Sequence, residues 1–445
     1  MKARDIVEQD RRLISPSERI VFFPLVVDKA QGAKIWDVEG REYIDLLSGA
    51  AVNNVGHRHP RVVDAIKEQC DKFIHSAFIY TYYRKPVDLA EKLCEITPGT
   101  YPKGVAYGLS GGDANDGAIK LARCATKRKK ILAFLKAYHG TTYGALSLSA
   151  ITTRMRCEMG PFLPEVYHVP FPDCYRCVFN LHYPECGLYC LDFIKTYFET
   201  ILPPEEVAMI IPEPIQGDAG IIVPPPEYLP SLKRLCEEHG ILFAAEEVQT
   251  GMGRTGKWFA IEHWGVEPDL IVTAKALGGG MPLSAIVARK ELVETWRAPA
   301  NFYTTNANPL CCAASLATIA VIEEENLLEN ASRMEEFFKK RLAELKEEHE
   351  LIGDIRGRGL MLGVDLVKDR GTKEPARREV LKVCWRCWEK GLIITNLGQS
   401  VLRIAPPLNI TDEEADQALR IIDGALEDTE QGRVPDEVLK RMVGW

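Results

Sequence analysis

From about residue 105 the chain alternates short apolar runs with longer stretches in which apolar residues recur every three or four positions. The runs "VAYGL", "KILAFL", "VAMIIPEP", "ILFAAEE" and "DLIVTA" read as buried strands, because strands of a parallel sheet covered on both faces are almost continuously apolar. "SGGDANDGAIKLAR" follows the first of them as a Gly-rich turn and a helix with Ala118, Ile119 and Leu121 on its apolar face. "PEYLPSLKRLCEEHG" predicts a helix stopped by its final glycine. After about residue 310 the pattern changes. One long helical stretch from Pro309 to His349 precedes shorter strands at "GLMLGVDLV", "LIITNL" and "VLRIAPPL", and a last helix covers "TDEEADQALRIIDGALED". The helix predicted at "EVLKVCWRCWEKG" is amphipathic, with the Cys384 and Cys387 pair read as part of its surface. The fold class expected is α/β. A large domain over 51–310 has a mostly parallel sheet covered by helices, a small α+β domain covers 311–445, and an N-terminal segment, 1–50, joins the small domain.

Bulk properties narrow the function. With 445 residues, 46% of them hydrophobic, the chain can bury a substantial core. A net charge of -8, with no run of lysines and arginines, argues against nucleic acid as a partner. The N-terminus lacks the apolar stretch of a signal peptide and no 18-residue apolar run appears, so the expectation is a cytoplasmic protein with no membrane partner. Thirteen cysteines scattered over a long chain fit reduced thiols. One group departs from that scatter: in "CYRCVFNLHYPECGLYC", Cys174, Cys177, Cys186 and Cys190 form C-x2-C-x8-C-x3-C, a spacing that can close a tetrahedral zinc site. The other reading is a surface insertion whose thiols never meet.

In doubly wound sheets ligands bind beyond the carboxyl ends of the strands. Ser110-Gly111-Gly112, Glu213, Glu246 and Lys275 each follow an apolar strand there. A helix start behind a Gly-rich turn offers free N–H groups to a phosphate. A partly desolvated lysine attacks carbonyls, although a strand-end lysine is more often an ion-pair partner. A buried carboxylate such as Glu246 can hold a heterocyclic nitrogen protonated, or simply pair with an arginine such as Arg254. Phosphate cradle, Schiff-base lysine and ring-nitrogen carboxylate are together the needs of pyridoxal 5'-phosphate (PLP).

With those residues in place, the chain resembles the class-III (subgroup II) aminotransferases of PLP fold type I. The resemblance rests on "GHRHP", "SGGDANDGAIKLAR", "YHGTTYGALS", "EPIQGDAG", "EEVQTGMGRTG", "AKALGGGMP", Asn308-Pro309 and "LRIAPPL". It implies that Lys275 forms the Schiff base with the cofactor and that Gly111 and Gly112 bind its phosphate. It also implies that Tyr138 stacks on the ring, that Gln249 lies near the phenolic oxygen, and that Thr304 reaches the phosphate of a neighbouring subunit. A homodimer or higher homo-oligomer follows. Arg403 matches the arginine that grips the substrate carboxylate, a task suited to a planar bidentate donor. The pocket is expected to include Ala50 to Asn53 and Tyr80 to Tyr82.

Two departures from the family pattern bear on chemistry. Glu246 stands where the family usually has aspartate, one methylene shorter. Asp218 stands where "EPxQGE" usually ends in glutamate, and its shorter reach toward Arg403 argues against ω-amino substrates. In this respect the chain is most similar to isoleucine 2-epimerase and broad-specificity amino-acid racemases, in which the equivalent aspartate and lysine act as two bases. The main expectation is transfer of an amino group from an α-amino acid to a 2-oxo acid, as in most of the family; the alternative is racemisation or 2-epimerisation by Lys275 and Asp218.

Overall fold

The computed structural model describes residues 2–442, which divide into two compact units: 60–328, and 2–59 together with 329–442. The 60–328 unit is built on seven strands: β1 (Lys103–Gly108), β2 (Lys130–Phe134), β3 (Val166–Val169), β4 (Val207–Ile210), β5 (Leu242–Glu246), β6 (Leu270–Thr273) and β7 (Ser284–Arg289). Their order in the sheet is β1-β7-β6-β5-β4-β2-β3. β3, β2, β4, β5 and β6 run parallel, and β7 is antiparallel to both β6 and β1, so β1 points the same way as the parallel set. β2, β4, β5 and β6 are buried along most of their length, as their apolar runs require, whereas the edge strand β3 is mostly half-buried. Helix α1 (Gly111–Thr126) lays Ala114, Ala118, Ile119 and Ala122 on Ile131, Met209, Ala244 and Val272 of the sheet. Small residues one turn apart let it approach closely. The helix α2 (Tyr189–Thr200) follows the loop after β3, and α3 (Tyr228–His239) ends where Gly240 takes a left-handed backbone (φ 61°).

The expected single helix from Pro309 to His349 is two, α4 (Pro309–Glu324) and Leu327–Glu348. Asn326 breaks it by taking φ 53°, a left-handed conformation that asparagine tolerates better than most residues.

The other unit holds two sheets. Val27–Gln31, Lys34–Asp37 and Glu42–Asp45 form an antiparallel meander, and Leu392–Ile393 joins it parallel to Glu42–Asp45. Ile352–Arg358, Met361–Asp369, Val401–Ile404 and Thr395–Leu397 form the second, antiparallel throughout. "LIITNL" is therefore not one strand but two in different sheets, turning at the buried Ile394. Cys384 and Cys387 are not on the helix surface: with Val380 and Val383 they make the fully buried face of Arg377–Glu389. Spacings of three and four put all four residues on one side, and that side is the inner one. Among the described residues no helix is long and apolar enough to cross a membrane.

Candidate active site

At the carboxyl end of β1, Ser110 caps α1. Its hydroxyl accepts from the Asp113 amide (3.3 Å), while the Asp113 carboxylate accepts from the amides of Leu109 (2.8 Å) and Ser110 (3.1 Å) and from the Ser284 hydroxyl (3.0 Å). This cap leaves the amides of Gly111 and Gly112 in the first turn, where no intrahelical acceptor exists. A Cβ on Gly111 would stand 2.9 Å from Val248, and one on Gly140 only 2.7 Å from Cα of Gly112, so the 138–142 segment lies backbone to backbone against the helix start. The Thr142 hydroxyl donates to the Gly112 carbonyl (3.2 Å) and fixes that approach.

One turn into α1, the Asn115 amide donates to the His139 carbonyl (2.8 Å) and, at 3.5 Å, to Glu246 at the end of β5. Burial raises the Glu246 carboxyl well above its usual range; Glu213 adds to this and Lys275 opposes it. His139 is fully enclosed, with Nδ1 3.9 Å from Glu246, and burial lowers its pKa to about 3, so it is neutral. Neither ring nitrogen of His139 has a hydrogen-bond partner, and neither has the Asn115 side-chain oxygen.

Glu213, beyond β4, accepts from the Tyr138 amide (3.1 Å) with one oxygen and from the Gly217 amide (2.9 Å) with the other. Burial pushes its pKa up to about 8; the Gly217 amide works against the shift and the neighbouring Asp218 works with it. The carboxylate thereby ties the strand end to both the Tyr138 segment and the loop that carries Asp218, itself 6% exposed. Gln249 packs on the bare face of Gly217, where a Cβ would meet its amide at 2.2 Å. Glu247, turned to the other side of the chain from Glu246, accepts from the Thr250 hydroxyl and from the amides of Ala260 (3.0 Å) and Ile261 (2.8 Å), holding the loop that presents Gln249.

Lys275 follows β6 half-buried and in a left-handed backbone, φ 46°. A non-glycine residue there is strained by about 1–3 kcal/mol, and such strain persists where the surroundings fix a side chain in place. Lys275, Asp218, Glu213, Glu246 and Tyr138 form one electrostatic neighbourhood, each acting on the titration of another. The strand-end residues named from sequence are thus brought together. The sequence motifs contain Asn115 and His139 without marking a role for either, although Asn115 sits a single turn beyond the glycines.

Thr304 lies exposed in a turn before α4. Arg403 belongs to the other unit, 4% exposed and paired across its sheet with Gly363 and Thr395. Tyr80 and Tyr82 are almost wholly solvent-exposed. The four cysteines on and after the 170–188 loop stand outside the strand-end cluster.

These residues fit PLP. Bare amides at a helix start suit a phosphate dianion, and an enclosed carboxylate with unsatisfied polar neighbours suits a protonated ring nitrogen, whose positive charge would return Glu246 to its ionised form. A lysine stands with them for the aldehyde. The fold and the site together define a PLP-dependent enzyme of fold type I.

Within that class, residues 15–426 match the family model "Aminotransferase class-III", and the chain belongs to this family. It is 51% identical to the leucine/methionine racemase of Thermococcus litoralis, over the full length of both chains. It is 43% identical to the isoleucine 2-epimerase of Lentilactobacillus buchneri, covering 100% of this chain and 99% of the relative. Among solved structures, a Bacillus anthracis aminotransferase superposes with a TM-score of 0.88 at 31% identity, over 96% of this chain and 99% of the other.

Proposed function

We propose that the chain is an amino-acid racemase or 2-epimerase that inverts Cα of apolar α-amino acids, with Lys275 and Asp218 as the two bases. The observation that supports this reading is a second carboxyl group, Asp218, which is buried and, like Lys275, lies close enough to Glu213 to act on its titration. Full-length identity is also higher to the racemase and the epimerase than to the aminotransferase. The expectation of amino transfer rested on what most of the family does, and it gives way to the alternative.

When bound, PLP supplies an electron-withdrawing ring that makes the substrate's Cα proton acidic. Gly111 and Gly112 would hold its phosphate, Tyr138 would lie against the ring, Gln249 would face the phenolic oxygen and Glu246 would keep the ring nitrogen protonated. Thr304 would reach the phosphate held by a second copy, which makes a homodimer the working unit. Lys275 Nζ removes the proton from Cα on one face. Asp218 delivers a proton to Cα from the other, and in the reverse direction the two exchange tasks. Amino transfer needs only one such base, so a second acid opposite the lysine is what inversion adds.

The test is to incubate PLP-loaded enzyme with L-isoleucine, L-leucine or L-methionine, with and without a 2-oxo acid, and to follow chirality and new amino acid together. Inversion without any oxo acid is the expected result. New amino acid formed only when an oxo acid is added, with chirality retained, would overturn the reading in favour of an aminotransferase.

Arg403 would bind the substrate carboxylate. Arg403→Ala should raise KM about 10- to 100-fold, the loss of about 1.5–3 kcal/mol in charge-assisted hydrogen bonds, with PLP content unchanged. Unaltered saturation would remove Arg403 from the substrate site.

A further inference from the structure

Between β3 and α2 the chain runs through residues 170–188 with neither strand nor helix, longer than structureless connections usually are inside a compact unit. Such a segment needs a fastening. At its start the Phe171 ring meets Phe134 (5.5 Å) and Tyr228 (5.8 Å) edge-on, and midway the Tyr183 hydroxyl donates to Glu227 (2.9 Å). Cys174, Cys177 and Cys186 lie on this loop, and Cys190 is the second residue of α2.

All four cysteines line one cavity with about 20 Å³ of free volume, enough to admit an ion or a water. The backbone curls at each pair. The Asp173 carboxylate accepts from the Arg176 amide (3.1 Å) and the Cys177 carbonyl from the Asn180 amide (3.0 Å). The Cys186 amide donates to the His182 carbonyl (2.8 Å), and the Cys186 carbonyl accepts from the Tyr189 amide (3.1 Å). Cys174 is within electrostatic reach of Cys177 and Cys186, and Cys190 of Cys174 and Cys186. Two turns thus bring two cysteines each to the lining of one cavity.

We propose that Cys174, Cys177, Cys186 and Cys190 bind one zinc ion as a closed tetrathiolate site that fastens the 170–188 loop to its unit. Zinc takes four thiolates tetrahedrally with no redox partner, and every cysteine that enters as a thiol releases one proton to solvent. Among the described residues, the only three ligand atoms already within 4.8 Å of one another are those of Glu348, His349 and Asp423. There the two ring nitrogens of His349 are taken by Glu430 (2.7 Å) and Asp423 (2.8 Å), which leaves an ion pair rather than a vacancy for metal. The cysteine sulfurs form no such group of three, so binding the ion requires them to draw together.

The experiment is elemental analysis of the full-length holoenzyme, expressed with added zinc and purified without chelator. About one zinc per chain is expected. It should be absent from Cys174→Ser/Cys177→Ser, whose PLP content is retained while its thermal midpoint falls. A second measurement does not depend on that variant's folding: cobalt supplied in place of zinc should give the intense near-ultraviolet sulfur-to-cobalt band of a tetrathiolate. Wild-type protein with no more zinc than the variant and no such band would overturn the site. Intact mass and peptide mapping that showed these four cysteines joined in two disulfides would overturn it equally.

Discussion

Lys275→Ala should lower the rate of Cα inversion by about 10⁴-fold or more, the upper range for a positioned proton-transfer group, because the same side chain also anchors the cofactor. The fold should survive. Alanine keeps the Cβ that lysine already carries through the left-handed backbone at φ 46°, and the side chain is only half-buried, so little packing is lost. The measurement pairs an initial rate with a covalent readout. After borohydride reduction, wild-type protein should carry the cofactor's mass on the peptide containing Lys275, and the variant should carry none. A variant that still inverts its substrate, or an adduct on another lysine, would show that the strand-end position had been misassigned. Glu246 and Glu213 provide an internal check, since losing the ammonium removes the nearby positive charge that opposes their raised pKa values.

The second large effect separates the two reaction outcomes. Asp218→Asn preserves size and the loop's hydrogen-bonding capacity but cannot give up or take a proton. Inversion should fall by about 10²- to 10⁴-fold. Release of 2-oxo acid from an L-amino acid in a single turnover, which needs only the lysine, should stay within about tenfold of wild type. Equal losses in both measurements would make Asp218 a positioning residue and leave inversion without its second base. The contrast matters more than either rate, because damage to the loop would lower both together.

Most of the sheet was legible because parallel strands buried on both faces leave unbroken apolar runs, and their polar successors mark the ligand edge with little ambiguity. "VAMI" and "LIVT" are wholly buried strands, and Glu213 and Lys275 come within three residues of their ends. Legibility failed where local pattern underdetermines partnership. Nothing in "EVLKVCWRCWEKG" tells which side of the helix meets the core, so the cysteines went to the wrong one. The break at Asn326 depends on one residue's backbone, invisible to a count of apolar spacings. The contacts that set Asp218 and Glu246 join residues far apart in the chain: Tyr138 to Glu213, and Asn115 to Glu246. Such pairings are tertiary facts. The reaction outcome was the least legible part, since one base or two depends on how a single loop carboxyl is held.

The near-contact between Gly112 and Gly140 divides the molecule into what can drift and what cannot. Any side chain at Gly140 would collide with the backbone of Gly112, so that position admits no variation without displacing the helix start. The exposed tyrosines at 80 and 82 carry no such burden, because nothing presses on them. Lineages descended from one such ancestor are therefore free to exchange the exposed tyrosines while inheriting the helix start unaltered. Under the proposed pocket, new specificities arise by changing Tyr80 and Tyr82 around a fixed backbone contact, which is also the sensible order of work for anyone redesigning it.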